Sequence, residues 1–485
     1  MNEVRVRIAP SPTGEDLHIG NLYTAMMNWV WAQKNHGKFI VRIEDTDRDR
    51  FVPGAEERIL QTLADFGLNN DEGPNVGGEY SPYKQSERLD IYKKYALELV
   101  AKNVAYYCFC SKERLEEIRN SETATNLRKK HWEYCQTGSA EEVDKRIANG
   151  EKYVIRLKVP QNEDVVFTDL IRGEIKINSD QVDDQVLLKS DGFPTYHLAV
   201  VVDDYLMKIS HIIRAEEWIS STPKHVLLYK AFGWEMPIFA HMPILRNSDK
   251  SKLSKRKNPV WVSWFLKEGY LPEAILNYLA TMGWSHPEQK EIFSMEEFIE
   301  KFELKDVSPV GPAFDTVKLE WFNGEYIRAM SDEALTKRLQ EYLVDHPAKD
   351  QIAPIVPLIK ERIKKLSDFV PLTDFLFEEP EWDMQIFERL KIQDLRFKIE
   401  KVEEVFEKNM GHWTTEKFAE EYRALAKELG ISNTEMFQLI RVAISGQLVS
   451  PPIYESIEIL GEDKARQRFK KAKEFIENPP QEPTY

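Results

Sequence analysis

The stretch Val4-Arg5-Val6-Arg7-Ile8-Ala9-Pro10-Ser11-Pro12-Thr13-Gly14, followed closely by His18-Ile19-Gly20-Asn21, decides the fold of this chain. Residues 4–8 alternate apolar and charged side chains, which is typical of a β-strand, and residues 22–36 predict a helix. The segment between them therefore lies at a strand-to-helix turn, where free backbone N–H groups and the helix dipole favour anions.

His18 and Gly20 are the candidate phosphate and base contacts at this turn. A histidine can donate a hydrogen bond to a phosphate oxygen, and a glycine leaves no side chain between the backbone and a flat adenine ring. The structural alternative is that His18 caps the helix and Gly20 only turns the chain. The turn by itself leaves both interpretations open.

A second segment, Asp249-Lys250-Ser251-Lys252-Leu253-Ser254-Lys255-Arg256-Lys257, is strongly basic. From Lys250 to Lys257, five of eight residues are lysine or arginine, and the others impose no strong secondary structure. A mobile loop of this kind could spread the charge that develops on the α-phosphate and the departing pyrophosphate of ATP. A solvated basic surface loop is the alternative.

In this order, the two segments resemble the two signature sequences of the class I aminoacyl-tRNA synthetases. Residues 18–21 stand for the first signature and residues 252–256 for the second. Further blocks in the amino-terminal two thirds are similar to glutamyl-tRNA synthetases, namely Val6 to Gly14, Phe39 to Arg48, Tyr83 to Arg88, Asp191 to Tyr196, Val201 to Asp204 and Ile213 to Trp218. The last third resembles this family mainly in length and position.

The resemblance implies an α/β fold with a Rossmann-type doubly wound parallel sheet, an α+β insertion and an all-α anticodon-binding region. The strand and helix predicted over residues 39–43 and 55–66 continue the alternation that such a sheet requires. The expected domains are two halves of the catalytic domain at 1–103 and 190–248, an acceptor-binding insertion at 104–189, the basic loop with a stem-contact domain at 249–330, and two helical anticodon-binding subdomains at 331–390 and 391–485, ending in a disordered tail. Helices are predicted over 332–343, 354–367, 385–406 and 414–429.

Glutamate carries two carboxylates and one ammonium, so its pocket needs cations and an anion. Arginine binds a carboxylate through a planar fork and keeps its charge, which makes Arg7 and Arg214 the candidate cations and Glu44 the candidate anion. The alternatives are surface salt bridges for the arginines and a capping turn for Glu44. In the family, the glutamate site is lined by the positions that match Arg7, Ala9, Ser11, Glu44, Tyr196 and Arg214, and ATP is contacted by those that match Glu217, Leu245, Lys252, Leu253, Ser254, Lys255 and Arg256.

The resemblance implies a reaction in two steps. Glutamate attacks the α-phosphate of ATP, which is bound with Mg²⁺, and forms glutamyl-adenylate and pyrophosphate. A ribose hydroxyl of glutamate tRNA then takes the glutamyl group and releases AMP. The candidate catalytic residues are His18, Lys252 and Lys255, because positioning and charge stabilisation suffice for this chemistry.

Two alternative functions remain at this stage. One is an enzyme that also charges glutamine tRNA, and the other is a non-catalytic RNA-binding relative. Arg362 falls near the position at which discriminating relatives place an arginine against the third anticodon base.

Length and charge bear on the number of domains and on a nucleic acid partner. A chain of 485 residues exceeds one hydrophobic core, so several domains are expected. The net charge of −15 argues superficially against a nucleic acid partner. Basic clusters nevertheless occur at 128–130, 250–257, 360–365 and 466–471, and a tRNA could follow them along one face.

Three cysteines, Cys108, Cys110 and Cys135, cannot form a paired disulfide framework. Some relatives bind zinc here, but the fourth ligand position is Thr137, a poor zinc ligand, unless His131 substitutes for it. We therefore expect a remnant of a zinc site without metal. The amino terminus lacks an apolar signal region and no apolar run has the length of a membrane span, so a cytoplasmic protein without a membrane partner is expected, unless a transit peptide has been removed. The resemblance implies a monomer.

Overall fold

The computed structural model describes residues 3–120, 139–253 and 259–478. The chain divides into two compact units, one formed by residues 1–266 and 272–316 and the other by residues 267–271 and 317–485. The first unit contains β1 (Arg5–Ile8), α1 (Ile19–Lys34), β2 (Lys38–Val41), α2 (Ala55–Asp65), α3 (Leu89–Ala101), β3 (Ala105–Cys108), α4 (Lys112–Asn120), α5 (Ala140–Ala148), β4 (Val154–Leu157), β5 (Asp164–Asp169), β6 (Gly173–Asn178), β7 (Val186–Leu188), α6 (Tyr196–Leu206), β8 (His211–Ala215), α7 (Thr222–Phe232), β9 (Ile238–Met242), α8 (Val262–Lys267), α9 (Pro272–Ala280) and α10 (Met295–Lys301).

Parallel strands form the centre of the first unit. β1 pairs with β2, with Arg7 opposite Ile40, and β8 pairs with β9, with Arg214 opposite His241. The amide of Ser210 donates to the Arg5 carbonyl oxygen at 2.9 Å, which brings the start of β8 to β1. Because parallel strands end at one edge, β1 and β8 deliver their last residues to the same place. The α/β fold with parallel strands is confirmed.

Antiparallel strands come from the stretch predicted as the insertion. β3, β4 and β7 form one antiparallel sheet, and β5 and β6 form a hairpin. The end of the hairpin also joins β9, because Asp169 lies opposite Phe239 in parallel register. The hairpin therefore extends the β8–β9 sheet instead of standing apart from it.

The second unit is helical in its described residues. It contains α11 (Thr316–Ala329), which begins at the unit boundary, α12 (Asp332–Tyr342), α13 (Val356–Ile359), α14 (Phe369–Thr373), α15 (Met384–Arg389), α16 (Leu395–Asn409), α17 (Thr415–Glu428), α18 (Asn433–Ser445), α19 (Ile453–Leu460) and α20 (Glu462–Glu477). The helices predicted over 332–343 and 414–429 are present as α12 and α17. Residues 479–485, predicted as a disordered tail, lie outside the described ranges.

Two predicted helices are wrong in extent. The helix predicted over 354–367 ends at Ile359, and the Asp368 carboxylate accepts from the amides of Lys364 and Lys365 at 2.9 Å, which closes a turn instead of a helix. The helix predicted over 385–406 is divided into α15 and α16, because Lys391 and Asp394 adopt left-handed backbone angles, with φ of 55° and 50°. Neither interruption contains the glycine or proline that signals one in a sequence.

Across the described ranges, no helix combines the length and the apolar character that a membrane span requires.

The turn between α1 and β2 leaves no room for a side chain. A Cβ placed on Gly37 would lie 2.1 Å from the carbonyl oxygen of Val4, at the start of β1. We expect Gly37→Ala to destabilise the protein by about 1–3 kcal/mol, because the backbone must move to relieve the clash. Gly67→Ala is the control, since nothing lies within 4 Å of its Cβ and only its left-handed φ of 70° opposes the change. Denaturant unfolding should show the larger loss at Gly37, and the reverse order would contradict this account.

Candidate active site

A cavity of about 530 Å³ opens where β1 and β8 end. All six residues predicted to bind glutamate line it, together with one of the predicted ATP contacts: Arg7, Ala9, Ser11, Glu44, Tyr196, Arg214 and Glu217. The predicted contacts His18, Gly20, Leu245, Lys252 and Leu253 are not among its lining residues. Ser254, Lys255 and Arg256 lie outside the described ranges.

Arg7 is held by a carboxylate of the protein itself. Its Nε and Nη2 atoms donate to the two carboxylate oxygens of Asp204 on α6, at 3.0 and 3.1 Å. Both residues are buried, with 4% and 1% of their surface exposed. Arg7 therefore forms a buried ion pair and not the surface salt bridge considered from the sequence. Its positive charge is partly neutralised by Asp204.

The Arg7–Asp204 pair belongs to a larger buried ion cluster, which consists of Arg7, Arg42, Arg88, Glu44, Asp203 and Asp204. Arg42 donates to Asp204 at 2.7 Å and to Glu44 at 3.1 Å. Asp203 accepts from Arg88 at 2.8 Å, and from Tyr92 and Gln85 at 2.8 and 2.9 Å. Three guanidinium groups thus face three carboxylates, which limits the cost of burying them all.

Two acids of this cluster, Asp204 and Glu44, differ in their electrostatics. Burial alone would raise the pKa of Asp204, but the guanidinium groups of Arg7 and Arg42 outweigh burial and hold the pKa below its ordinary value. For Glu44, burial dominates and raises the pKa of the carboxyl, although Arg42 and Arg7 act in the opposite direction. The Glu44 carboxylate is therefore incompletely compensated, and an added cation in the cavity would stabilise it.

Arg214 is surrounded by neutral groups. Its Nε donates to His241 Nε2 at 3.1 Å and its Nη2 to Thr222 Oγ1 at 2.8 Å, while Nη1 lies 3.3 Å from both the Tyr196 hydroxyl and His225 Nδ1. Within the described ranges, no carboxylate forms a hydrogen bond or ion pair with it. Burial lowers the pKa of Arg214, as expected for a cation removed from water. The described part of the chain therefore leaves this guanidinium without a counterion.

The turn before α1 uses His18 as a cap. The Nδ1 atom of His18 accepts a hydrogen bond from the Gly20 amide at 2.9 Å. The helix cap considered from the sequence as an alternative is therefore formed by this nitrogen. A Cβ added at Gly20 would lie 3.2 Å from the same atom and would crowd the imidazole. The cap fixes the ring at the amino end of α1, the end that favours anions.

The first residues of the basic loop are anchored next to β9. The Leu253 amide donates to the Leu245 carbonyl oxygen at 3.2 Å, and both side chains are buried. The Lys252 ammonium donates to the Glu217 carboxylate, so two predicted ATP contacts pair with each other.

The remaining predicted residues lie elsewhere. Arg362 is exposed in the turn after α13 in the second unit. Cys108 ends β3 and Cys110 follows it, whereas Cys135, with His131 and Thr137, lies outside the described ranges. The part of the chain that the structure describes contains no group of three or more His, Cys, Asp or Glu side chains that could hold a metal ion.

Two family models cover most of the sequence. The catalytic domain model of class I tRNA synthetases (E and Q) matches residues 3–321, and an anticodon binding domain model matches residues 334–473. The chain belongs to the class I tRNA synthetases.

Similar proteins define the branch. The glutamate–tRNA ligase of Finegoldia magna is 45% identical, and the alignment covers 97% of this chain and 99% of that protein. The Thermus thermophilus enzyme of the same name is 44% identical with the same coverage. A crystal structure of a glutamate tRNA ligase from Elizabethkingia meningosepticum, in complex with its amino acid, has a TM-score of 0.84 at 36% identity and covers 98% of this chain and 99% of that one. This chain is therefore a member of the glutamate–tRNA ligase family.

Sequence reasoning missed the residues that hold the predicted arginines in this synthetase. Asp203 and Asp204 lie in a block that resembles the family, but the pattern assigned them no role, and Thr222, His225 and His241 were not singled out. A signal existed for the two acids, because they directly follow the apolar run Leu198-Ala199-Val200-Val201-Val202 within α6. Acidic residues on a buried helix face are rarely left unpaired.

The buried ion cluster predicts a large stability effect. Arg42→Met should destabilise the synthetase by about 3–5 kcal/mol, because it removes the guanidinium that bridges Glu44 and Asp204 and leaves three carboxylates of the cluster with two cations. Arg50→Met is the control, since the side chain of Arg50 is 75% exposed in its ion pair with Asp47, and it should cost less than about 0.5 kcal/mol. Denaturant unfolding of both variants measures the difference. Equal losses would show that the cluster does not stabilise the fold.

Three histidines, the buried His225 and His241 and the partly buried His197, predict a loss of stability in mild acid. Burial lowers the pKa of His197 to about 3, with a smaller contribution from Lys224, and burial also lowers the pKa of His225 and His241. The unfolded chain takes up these protons near pH 6.5 whereas the folded protein does not, so stability is full above that pH and falls below it.

Between pH 7 and 5, His197 alone should cost about 2 kcal/mol. Denaturant unfolding at pH 7, 6 and 5 measures this, and His197→Gln should remove that share of the loss and leave the share of His225 and His241. His36→Gln, which changes an exposed imidazole, is the control. A stability that does not change with pH in the unmutated protein would contradict the prediction.

Proposed function

We propose that this protein ligates L-glutamate to the 3′ end of glutamate tRNA through a glutamyl-adenylate, consuming ATP and releasing AMP and pyrophosphate. The observation that carries the proposal is the charge pattern of the cavity. Among the described residues, no carboxylate pairs with Arg214, and burial raises the pKa of Glu44 despite its arginine neighbours, so the cavity is complementary to a small molecule with a carboxylate and an ammonium. Relatives named glutamate–tRNA ligase, which this chain matches over 99% of their length, support the proposal.

The two arginines have different roles in this proposal. Arg214, with the Tyr196 hydroxyl beside it, binds one carboxylate of glutamate through its planar fork, and Glu44 binds the ammonium. Arg7 shares its charge with Asp204, so it contributes hydrogen bonds and a weaker field to the second carboxylate. Ala9 and Ser11 complete the wall at the end of β1.

ATP is proposed to lie next to this pocket, entering as its Mg²⁺ complex. The proposed ATP contacts are His18 and Gly20 at the amino end of α1, together with Glu217, Leu245 and the loop residues Lys252, Leu253, Ser254, Lys255 and Arg256. His18, Lys252 and Lys255 would stabilise the charge on the phosphates. For this, the Lys252 ammonium must exchange the Glu217 carboxylate for phosphate oxygens.

The second unit is proposed to bind the anticodon of the tRNA. The family model matched over residues 334–473 supports this assignment. Burial lowers the pKa of Arg441, and the charge of Arg362 adds a smaller contribution in the same direction. Arginine side chains of this kind are suited to stacking on unpaired RNA bases. The domain limits stated from the sequence, a monomeric state and a cytoplasmic location are parts of the same proposal.

Neither alternative function is favoured by the comparisons. The relatives described above carry the name glutamate–tRNA ligase and not that of an RNA-binding protein. A broader enzyme that also charges glutamine tRNA has no observation in its support.

Pyrophosphate exchange tests the proposal. The unmutated protein, with glutamate, ATP and glutamate tRNA, should exchange labelled pyrophosphate into ATP. Arg214→Lys keeps the charge but loses the fork, and Glu44→Gln removes the anion, so each should lower kcat/KM for glutamate by about 10- to 100-fold. Arg396→Lys, at a side chain that is 66% exposed in α16, is the control and should leave kcat/KM unchanged. Absence of exchange in the unmutated protein would end the proposal.

A further inference from the structure

Arg214 lies at one end of a row of three side chains on adjacent strands. Arg214 on β8 is the register partner of His241 on β9, and Phe239 of β9 is the register partner of Asp169 on β5. Since residues two apart on a strand point to the same face, Asp169 and His241 share one face of the sheet. All three residues are buried, and Asp169 and His241 are 1% and 0% exposed.

Asp169 is fully used as an acceptor. Its Oδ1 accepts from the amides of Ile171 and Arg172, both at 3.0 Å. Its Oδ2 accepts from the His241 amide at 2.9 Å and lies 2.6 Å from His241 Nδ1. A carboxylate only accepts hydrogen bonds, so the proton of the imidazole must be on Nδ1.

This tautomer leaves a lone pair on His241 Nε2, and that atom faces Arg214. The Arg214 Nε–H donates to it at 3.1 Å. Thr222 Oγ1 lies 3.1 Å from His241 Nε2 and 3.0 Å from the Trp218 carbonyl oxygen, and its hydroxyl can rotate to donate to either acceptor, so this contact is compatible with the lone pair on Nε2. Burial lowers the pKa of His241 and outweighs the hydrogen bond to Asp169, so the ring is neutral.

We propose that Asp169 and His241 are positioning residues for Arg214, with Asp169 acting by fixing the tautomer of His241. Neutral acceptors hold the guanidinium without neutralising it. A carboxylate in direct contact would hold it as firmly but would consume the charge, as Asp204 does for Arg7. This positioning role rests on the proposed activation of glutamate, because it explains why the charge of Arg214 stays available to a substrate carboxylate.

Three variants separate positioning from a merely structural role. His241→Gln can place an amide oxygen where Nε2 lies and keep the acceptor, whereas His241→Leu removes it. Asp169→Asn keeps the shape of the side chain but replaces one oxygen by an NH₂ group. This group is least unfavourable in place of Oδ2, where it can donate to His241 Nδ1 if the imidazole moves its proton to Nε2. The ring would then present a donor to the Arg214 Nε–H. Asp164→Asn is the matched control, because Asp164 lies on the same strand in a surface ion pair with Lys176.

Steady-state pyrophosphate exchange with each full-length variant should give KM for glutamate and KM for ATP. We expect His241→Leu and Asp169→Asn to raise KM for glutamate by about 10- to 100-fold, with KM for ATP changed less than about threefold. His241→Gln should stay within about threefold of the unmutated protein, and Asp164→Asn should not change either constant. Calorimetric titration of the same variants with glutamate alone should show the same order of affinity.

The outcomes distinguish the two proposals. If KM for glutamate is unchanged in His241→Leu and Asp169→Asn, the positioning role is overturned. The enzyme proposal still stands in that case, provided that the unmutated protein catalyses exchange. Equal losses in His241→Gln and His241→Leu, shared by KM for ATP, also overturn it, because they indicate a structural role only. If the unmutated protein binds glutamate without exchange, the enzyme proposal fails and the calorimetric order decides positioning. If it does neither, both proposals fail.

Discussion

The ion pair between Arg7 and Asp204 determines the charge pattern of the catalytic unit. A guanidinium at the end of β1 lies away from water, so it needs a carboxylate, and Asp204 on α6 supplies it. That carboxylate also accepts from Arg42, which ties β1, the segment after β2 and α6 together. Because burying an ion is costly, each charge in this region fixes the position of another. The charges left over at the cavity wall are those available to a substrate.

Two ways of holding a buried arginine therefore occur in one cavity. Arg7 is held by an anion and has little charge to offer, whereas Arg214 is held by hydroxyl and imidazole groups and keeps its charge. The second arrangement costs stability, since burial disfavours a cation without a counterion, as the lowered pKa of Arg214 shows. Proteins accept such a cost at binding sites, where an incoming ligand supplies the missing charge. The unequal treatment of two arginines is what suits the cavity to an anion.

Local patterns were sufficient to predict the start of the fold, because the alternating strand before Ala9 and the turn before α1 are recorded in adjacent residues. The choice of Arg7, Glu44 and Arg214, which line the cavity, came from the family resemblance and from the charges of glutamate. The pairing of Arg7 with Asp204 could not be predicted, because 197 residues separate them and no local pattern encodes a contact across that distance. The attachment of the β5–β6 hairpin to β9 is equally non-local. The predicted extent of α13 was wrong for another reason, because the Asp368 side chain accepts hydrogen bonds from backbone amides that a longer helix would have used.

Differences in the strength of ion pairs separate the fixed from the movable parts of this site. Lys252 and Glu217 have side chains that are 61% and 44% exposed, so water already solvates both and their pairing contributes little. A triphosphate offers the lysine several negative oxygens in place of one carboxylate, so exchange of partners is favoured once ATP is present. Leu253 is buried and its amide donates to the Leu245 carbonyl oxygen, so the residue that follows Lys252 is fixed while the Lys252 side chain exchanges its partner. Strong buried pairs thus fix the wall of the cavity, and a weak exposed pair leaves the Lys252 ammonium able to exchange its partner.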